Sequence, residues 1–424
     1  MVGNGLSAAR AATTLAGPGP AAPGSVATLS EPEAGGSVAA APLTGDRKFR
    51  PDIEGLRAVA VLLVALYHGH IPGIRGGYVG VDVFFVISGF LITGLLLRER
   101  TERGTTSIRH FYARRARRIL PAATVVVVFT VIASYHLLGF VVGNTVADDA
   151  KWTAVFMANL HFAAIGTTYL GSQAPPSPLQ HMWSLGVEEQ FYVVWPTLFF
   201  LIAVVGRRTS LRVRLGIVLS AIIVASFAWS VIETSQSATW AYFSPLTRAW
   251  ELALGGLVAV AWPLVRRIPP AVASVAGAVG LASVIASGVV LTEGTRYPGS
   301  AVAWPVISTA VVIACGSATT TGLAERALKN RVAQWIGARS YSFYLWHWPI
   351  LIVAYEAKGH NLPVWQNAVW LVVALAASAL SYRFVENPIR FARTLVTRAS
   401  ASLVMGAVLI IELLGFAQAM ILTH

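Results

Sequence analysis

From residue 51 onward, apolar residues come in runs of about 16–23, separated by short polar stretches, with no two-residue alternation that would mark strands. A helix rises about 1.5 Å per residue, so each run nearly matches the roughly 30 Å of hydrocarbon in a bilayer. Eleven membrane helices are predicted, at about 54–73, 78–97, 119–141, 187–206, 213–233, 247–264, 271–291, 301–318, 341–357, 365–386 and 402–422. The fold class is therefore all-α, a polytopic integral membrane protein. Residues 1–46 break the pattern. They are rich in Ala, Gly and Pro with few large apolar side chains, cannot bury a core, and are expected to form a disordered tail. They lack a basic region followed by an apolar one and so do not read as a signal peptide. The predicted organisation is a tail at 1–46, one membrane domain at 47–391, and a linker with the eleventh helix at 392–424. No internal repeat and no matching pair of broken helices is visible, which argues against a secondary transporter. The longest connection, 142–186, contains KWTAVFMANLHF, suited to a short interfacial or re-entrant helix.

Composition agrees with this reading. The chain of 424 residues is 55% hydrophobic and only 12% charged, where a soluble domain carries roughly 25% charged residues. A net charge of +13 would suggest nucleic acid on a soluble domain. Here the cations gather in alternate connections: RERTERGTTSIRHFYARRARR, GRRTSLRVR, VRR, AERALKNR and RFVENPIRFARTLVTR. The other connections hold only Arg75, Lys151, Arg248, Arg296 and Lys358. By the positive-inside rule the N-terminus is cytoplasmic, and eleven crossings put the C-terminus outside. Nucleic acid is not an expected partner; the lipid bilayer is. The single cysteine, Cys315, excludes an intrachain disulfide and reads as a small core residue. No His/Cys/carboxylate cluster has metal-ligand spacing, so no metal is expected.

Ionisable side chains at membrane depth are costly and mark functional sites by default. Arg57 and His68 interrupt GLRAVAVLLVALYHGH. Eleven residues are three turns plus about 20°, so both side chains share one helix face, roughly 16 Å apart along the axis. A snorkelling anchor for Arg57 and an interhelical hydrogen bond for His68 are the structural alternatives. An outer layer comprises Asp82 in GVDVFFVISGF, Glu188 and Glu189 in SLGVEEQFY, and Arg248 with Glu251 in LTRAWELALGG. Asp82 could cap its helix, Arg248 and Glu251 could pair three residues apart, and at most one of the adjacent glutamates is expected to face a cavity. An inner layer comprises Arg114, Arg115, Arg117 and Arg118 in FYARRARR, with His347 and Tyr344 of SYSFYLWHWP in the same half. Guanidinium forks suit phosphate groups, and Pro349 is expected to kink its helix.

Taken together, Arg57–ten residues–His68, GVDVFFVISGFLI, FYARRARRILP, WSLGVEEQFYVVWP, SYSFYLWHWPI and ENPIR resemble the membrane-bound acyltransferase-3 family over nearly all of residues 50–390. The resemblance implies a ten-helix acyltransferase bundle, here with an eleventh helix, in a bacterial cytoplasmic membrane. It implies transfer of a short acyl group, acetyl foremost, from cytoplasmic acyl-CoA to a hydroxyl of an extracytoplasmic envelope glycolipid or polysaccharide. Acyl-CoA is then a donor substrate, and no permanently bound cofactor is expected. The family's essential Arg and His fall on Arg57 and His68. Its basic motif, associated with acyl-CoA, falls on Arg114, Arg115 and Arg118. Asp82, Glu188, Glu189, Arg248 and Glu251 are then expected on the acceptor side, one of them orienting His68. In relatives with an eleventh helix an extracytoplasmic SGNH-type hydrolase domain usually follows; here either the chain is shortened or the eleventh helix has another purpose, with a separate extracytoplasmic partner domain as one alternative. The alternative is a transporter or flippase of a lipid-linked envelope precursor, since intramembrane Arg, His and Glu also line substrate paths.

Overall fold

The computed structural model describes residues 50–167, 170, 176–205, 209–359 and 362–423. The tail expected at 1–46 lies outside them. Among the described residues no strand occurs. In chain order the helices are α1 (Pro51–His68), α2 (Gly80–Arg103), α3 (Ile108–Leu138), α4 (Phe140–Ala154), α5 (Ala158–Ala164) and α6 (Met182–Val204). There follow α7 (Leu211–Gln236), α8 (Ala238–Phe243), α9 (Pro245–Val260), α10 (Trp262–Val265), α11 (Pro270–Val290) and α12 (Ala303–Ala318). The last are α13 (Leu323–Leu328), α14 (Arg331–Lys358), α15 (Val364–Ser381), α16 (Asn387–Phe391), α17 (Arg393–Thr397) and α18 (Ala399–Thr423), with a π-helical turn, Tyr382–Glu386, after α15.

Each of the eleven predicted apolar stretches falls largely in helix, and the protein is a multi-pass membrane protein. Seven helices, counting the turns that extend α2 and α15, are long and apolar enough to cross a membrane by themselves. The other four are α9 and α12, with 16 residues each, and α1 and α14, which carry the polar side chains discussed below. The stretch KWTAVFMANLHF is not one short helix. It is the end of α4 and most of α5, broken where Phe156 adopts a positive φ of 57°.

Lipid offers no hydrophobic drive for helices to associate, so close backbone approach at small residues decides which helices pair. Gly337 of α14 lies on the Glu54 carbonyl of α1, and a Cβ there would stand 2.0 Å from that oxygen. On α2 and α9, a Cβ at Gly89 would stand 1.8 Å from the Leu252 carbonyl oxygen, and one at Gly255 2.0 Å from that of Val86. These contacts set α1 against α14 and α2 against α9. The last helix, α18, packs on α3, with Gly406 over Ala116 and Leu120. Arg117 ties the preceding linker down, donating to the Leu395 carbonyl at 2.7 Å and to Ser402 Oγ at 2.9 Å.

Candidate active site

Helix α1 starts at Pro51, whose missing N–H costs nothing at the first helical position. Asp52 and Glu54 complement the dipole of its first turn. It ends at His68, five residues short of the predicted boundary, because Gly69 and His70 (φ 51°) turn the chain. His68 therefore stands at a helix end. Helix α14 was expected to begin at 341 and instead begins at Arg331, where the Asn330 side chain accepts from the Ala333 N–H at 2.9 Å. This earlier start corrects the expected depth of His347. It lies more than four turns into α14, level with His68 rather than with the arginines.

The two rings lie edge to edge and nearly coplanar, with centroids 5.2 Å apart and 9° between planes, and His68 Nδ1 lies 2.9 Å from His347 Nε2. The proton positions follow from the partners. His347 Nδ1 faces two backbone carbonyl oxygens, of Tyr344 at 2.7 Å and Phe343 at 3.2 Å, so it must donate. Its Nε2 is then the acceptor, His68 Nδ1 donates to it, and the lone pair of neutral His68 is on Nε2. The indole of Trp348 meets His68 edge to face at 4.4 Å.

Pro349 does not break α14, which continues to Lys358. Its ring removes the N–H that would have bonded the Leu345 carbonyl four residues earlier. That carbonyl accepts instead from His181 Nε2 at 3.2 Å. His181, fully buried with its ring edge-on to His347, is a residue that the motif analysis passed over. The signal was its place directly before MWSLGVEEQFY. Its Nδ1 carries a lone pair, is buried and has no hydrogen-bond partner among the described residues. Tyr344 completes this floor, its hydroxyl 2.6 Å from Ser184 Oγ.

The arginines of α3 divide their tasks. Arg114 reaches Glu99 of α2 at 3.5 Å. Arg115 bonds Glu189 Oε1 at 2.6 Å, lies 3.8 Å from Glu188 Oε1, and covers the Tyr192 ring at 3.7 Å. This corrects the placement of Glu188 and Glu189 in the outer layer, and the expectation that at most one would face inward. Helix α6 begins at Met182, so both glutamates are more than a turn inside it and meet one guanidinium. Glu188 also accepts from Ser88 Oγ at 2.5 Å and from the Tyr192 hydroxyl. Pro196 frees the Tyr192 carbonyl as Pro349 frees that of Leu345, and the Tyr112 hydroxyl donates to it at 3.2 Å. Arg118 makes no hydrogen bond or ion pair among the described residues and is within electrostatic reach of Arg57, Arg115 and Glu386. Arg57 pairs with Glu54 at 3.4 Å. Glu386, from the ENPIR motif, is buried and accepts from Ser342 Oγ at 2.7 Å. An anion entering among these side chains would find Arg118 uncommitted.

The remaining predicted residues form a separate cluster. Arg248 Nη1 donates to Asp82 Oδ1 at 2.8 Å and Glu251 Oε1 at 3.1 Å, its Nε to the Tyr242 carbonyl at 3.2 Å, and the Tyr297 hydroxyl donates to Asp82. All three charged side chains are at most 2% exposed. Asp82 does not cap α2; its carboxylate is spent on Arg248 and Tyr297, and the residue orienting His68 is His347. The cluster bolts α2, α9 and the 292–302 connection together.

A further carboxylate, Asp149 of α4, reaches the histidine pair through the chain. It accepts from His161 Nε2 at 2.9 Å and from Ser177 Oγ at 2.5 Å, and the Ser177 carbonyl accepts from Trp348 Nε1 at 2.9 Å. Asp149→Asn is expected to lower turnover on the order of tenfold, because small displacements of reacting groups are costly, with donor affinity unchanged. Steady-state kinetics with the donor varied would show this; an unchanged turnover would make Asp149 a loop anchor only.

Ionisable groups at two depths of a helical bundle, with an oriented histidine pair at one of them, mark a functional site inside a membrane protein. The model of the acyltransferase-3 family, an acyltransferase domain, matches residues 50–383, and the chain belongs to that family. It is 33% identical over 363 residues to the putative peptidoglycan O-acetyltransferase YrhL of Bacillus subtilis, covering 82% of this chain and 56% of that one. It is 32% identical over 357 residues to the peptidoglycan O-acetyltransferase OatA of Listeria monocytogenes, covering 81% and 56%. A putative O-acetyltransferase of Staphylococcus aureus is 30% identical over 355 residues, covering 81% and 58%. The chain thus spans a little over half the length of these curated relatives. No solved structure matches it. The family is one of acyltransferases, and none of these three relatives is named a transporter.

Proposed function

We propose that the protein moves an acetyl group from cytoplasmic acetyl-CoA to a hydroxyl of an extracytoplasmic envelope polysaccharide, with peptidoglycan or a related glycan as acceptor, in a bacterial cytoplasmic membrane with its N-terminus inside. The observation that carries this is the His347–His68 relay on the far side of an uncommitted arginine. Arg118, with Arg57 and Arg115 beside it, supplies cations to the phosphates of the donor, for which guanidinium is suited. His68 Nε2 takes the proton of the acceptor hydroxyl as its oxygen attacks the thioester carbonyl. The carbon–sulfur bond breaks, the CoA thiolate leaves, and the proton held by His68 neutralises it. A neutral His347 accepting from His68 Nδ1 keeps the basic nitrogen on the substrate side throughout. The roughly 16 Å between Arg57 and His68 suits a donor that enters from the basic side and presents its thioester to the histidine.

The test is release of CoA thiol from acetyl-CoA by purified protein, with and without peptidoglycan fragments or envelope lipid extract. Release that requires acceptor supports direct transfer; a burst of one equivalent without acceptor would mean that a histidine carries the acyl group transiently. No release with either acceptor would overturn the proposal. Arg118→Gln removes no hydrogen bond among the described residues. It is expected to raise the KM for acetyl-CoA about 10–100-fold, the loss of one or two charge-assisted hydrogen bonds, with little change in kcat. An unchanged KM would return Arg118 to the role of a membrane anchor.

A further inference from the structure

On the same side of the bundle as the α3 arginines, but on its outer surface, a cleft of about 620 Å³ opens between α14 and the end of α15. Arg339, Arg383, Tyr382 and Asn387 line it, with Ala376, Ala379 and Leu380 forming an apolar wall. No carboxylate lines it, and neither arginine has an ion pair among the described residues. Arg339 is held between two rings, Trp335 at 4.1 Å and Tyr382 at 4.9 Å, and its one hydrogen bond among the described residues goes to its own helix, to the Trp335 carbonyl. Two polar atoms of the residues that line the cleft, Arg339 Nε, a donor, and Asn387 Oδ1, an acceptor, are buried and have no partner among the described residues.

This is an unusual place to leave such groups. A buried polar atom without a partner costs about 1–3 kcal/mol, and two cations beside each other repel. Both costs vanish if a molecule brings a negative charge to the guanidinia and a donor to Asn387. The surroundings say what kind of molecule. Leu380 (59% exposed) and Phe384 (65%) flank the cleft with bare apolar surface that water would not favour, and Trp335 and Tyr382 are the ring types of membrane interfaces. The π-helical turn Tyr382–Glu386 falls between the apolar wall and Asn387, and such turns are frequently found at functional sites. Glu386, the acid nearest in sequence, is engaged inside the bundle by Ser342.

We infer that this cleft is a binding site for one anionic glycerophospholipid whose headgroup carries a hydroxyl donor, with the phosphate on Arg339 and Arg383, the headgroup hydroxyl on Asn387 Oδ1, and an acyl chain along Ala376, Ala379 and Leu380.

Native mass spectrometry of the detergent-solubilised full chain, titrated with phosphatidylglycerol or phosphatidylcholine, tests this. One phosphatidylglycerol is expected to bind at least tenfold tighter than phosphatidylcholine. At about one decade per 1.4 kcal/mol and the usual contribution of an arginine at a lipid surface, Arg383→Gln should lower that affinity about fivefold and Arg339→Gln with Arg383→Gln about thirtyfold. Arg383 is exposed and makes no hydrogen bond among the described residues, so the single variant reports even if the double one unfolds. Wild-type affinity in Arg383→Gln would overturn the inference, as would several equivalent lipids on the wild type. Acetyl-CoA is the competing source of phosphate. Displacement of the lipid by acetyl-CoA at equal occupancy would assign the cleft to the donor instead, and no displacement is expected.

Discussion

His68→Ala is expected to lower acetyl transfer by at least about a thousandfold while the protein still inserts and folds. A positioned general base contributes roughly 10²–10⁴-fold, and among the described residues no second group stands where His68 does. His181 does not replace it, because its Nε2 is held by the Leu345 carbonyl. The loss of folding energy is modest by comparison. His68 is the last residue of α1, so truncation removes one ring set between His347 and Trp348 but no helix-interior contact. Thiol release from acetyl-CoA with acceptor present measures the effect, and thermal unfolding in detergent separates it from misfolding. Activity within tenfold of the wild type would take His68 out of the chemistry.

The second large effect is on stability. Arg248→Met is expected to destabilise the protein by about 3–5 kcal/mol, because removing one partner of a buried ionic cluster leaves uncompensated charge. Here two carboxylates, Asp82 and Glu251, would face each other with Tyr297 alone donating to Asp82. Combining Arg248→Met with Asp82→Asn and Glu251→Gln removes the stranded charge and should restore most of the stability and much of the activity. Thermal unfolding of the two variants is the measurement. A triple variant that is stable but inactive would show that the cluster takes part in transfer and is more than a bolt between α2, α9 and the 292–302 connection.

Much of this molecule is written in its sequence. The eleven apolar stretches fall largely in helix, since a helix is the one way a single stretch satisfies its own backbone in lipid. The shared face of Arg57 and His68, and their separation along α1, follow from helix geometry alone. The family resemblance was legible too, because the motifs that carry it are local. What one helix cannot show is which neighbour it faces. His347 is 279 residues from His68, and only the seating of Gly337 on the α1 backbone brings the rings to one level. The true start of α14 at Arg331 decides that depth, and polarity hid it, because the first turns of α14 are too polar to read as a span. Glu188 and Glu189 were drawn away from their expected layer by Arg115, 74 residues from Glu189, and Arg248 chose Asp82 on another helix as well as the near Glu251. His181 was legible only once Pro349 was seen to free a carbonyl in front of it. Composition and periodicity determine how each segment meets the membrane, because that depends on its own side chains. The pairing of charges and protons inside the bundle depends on close approaches between distant glycines and carbonyls, and only the tertiary structure decides it.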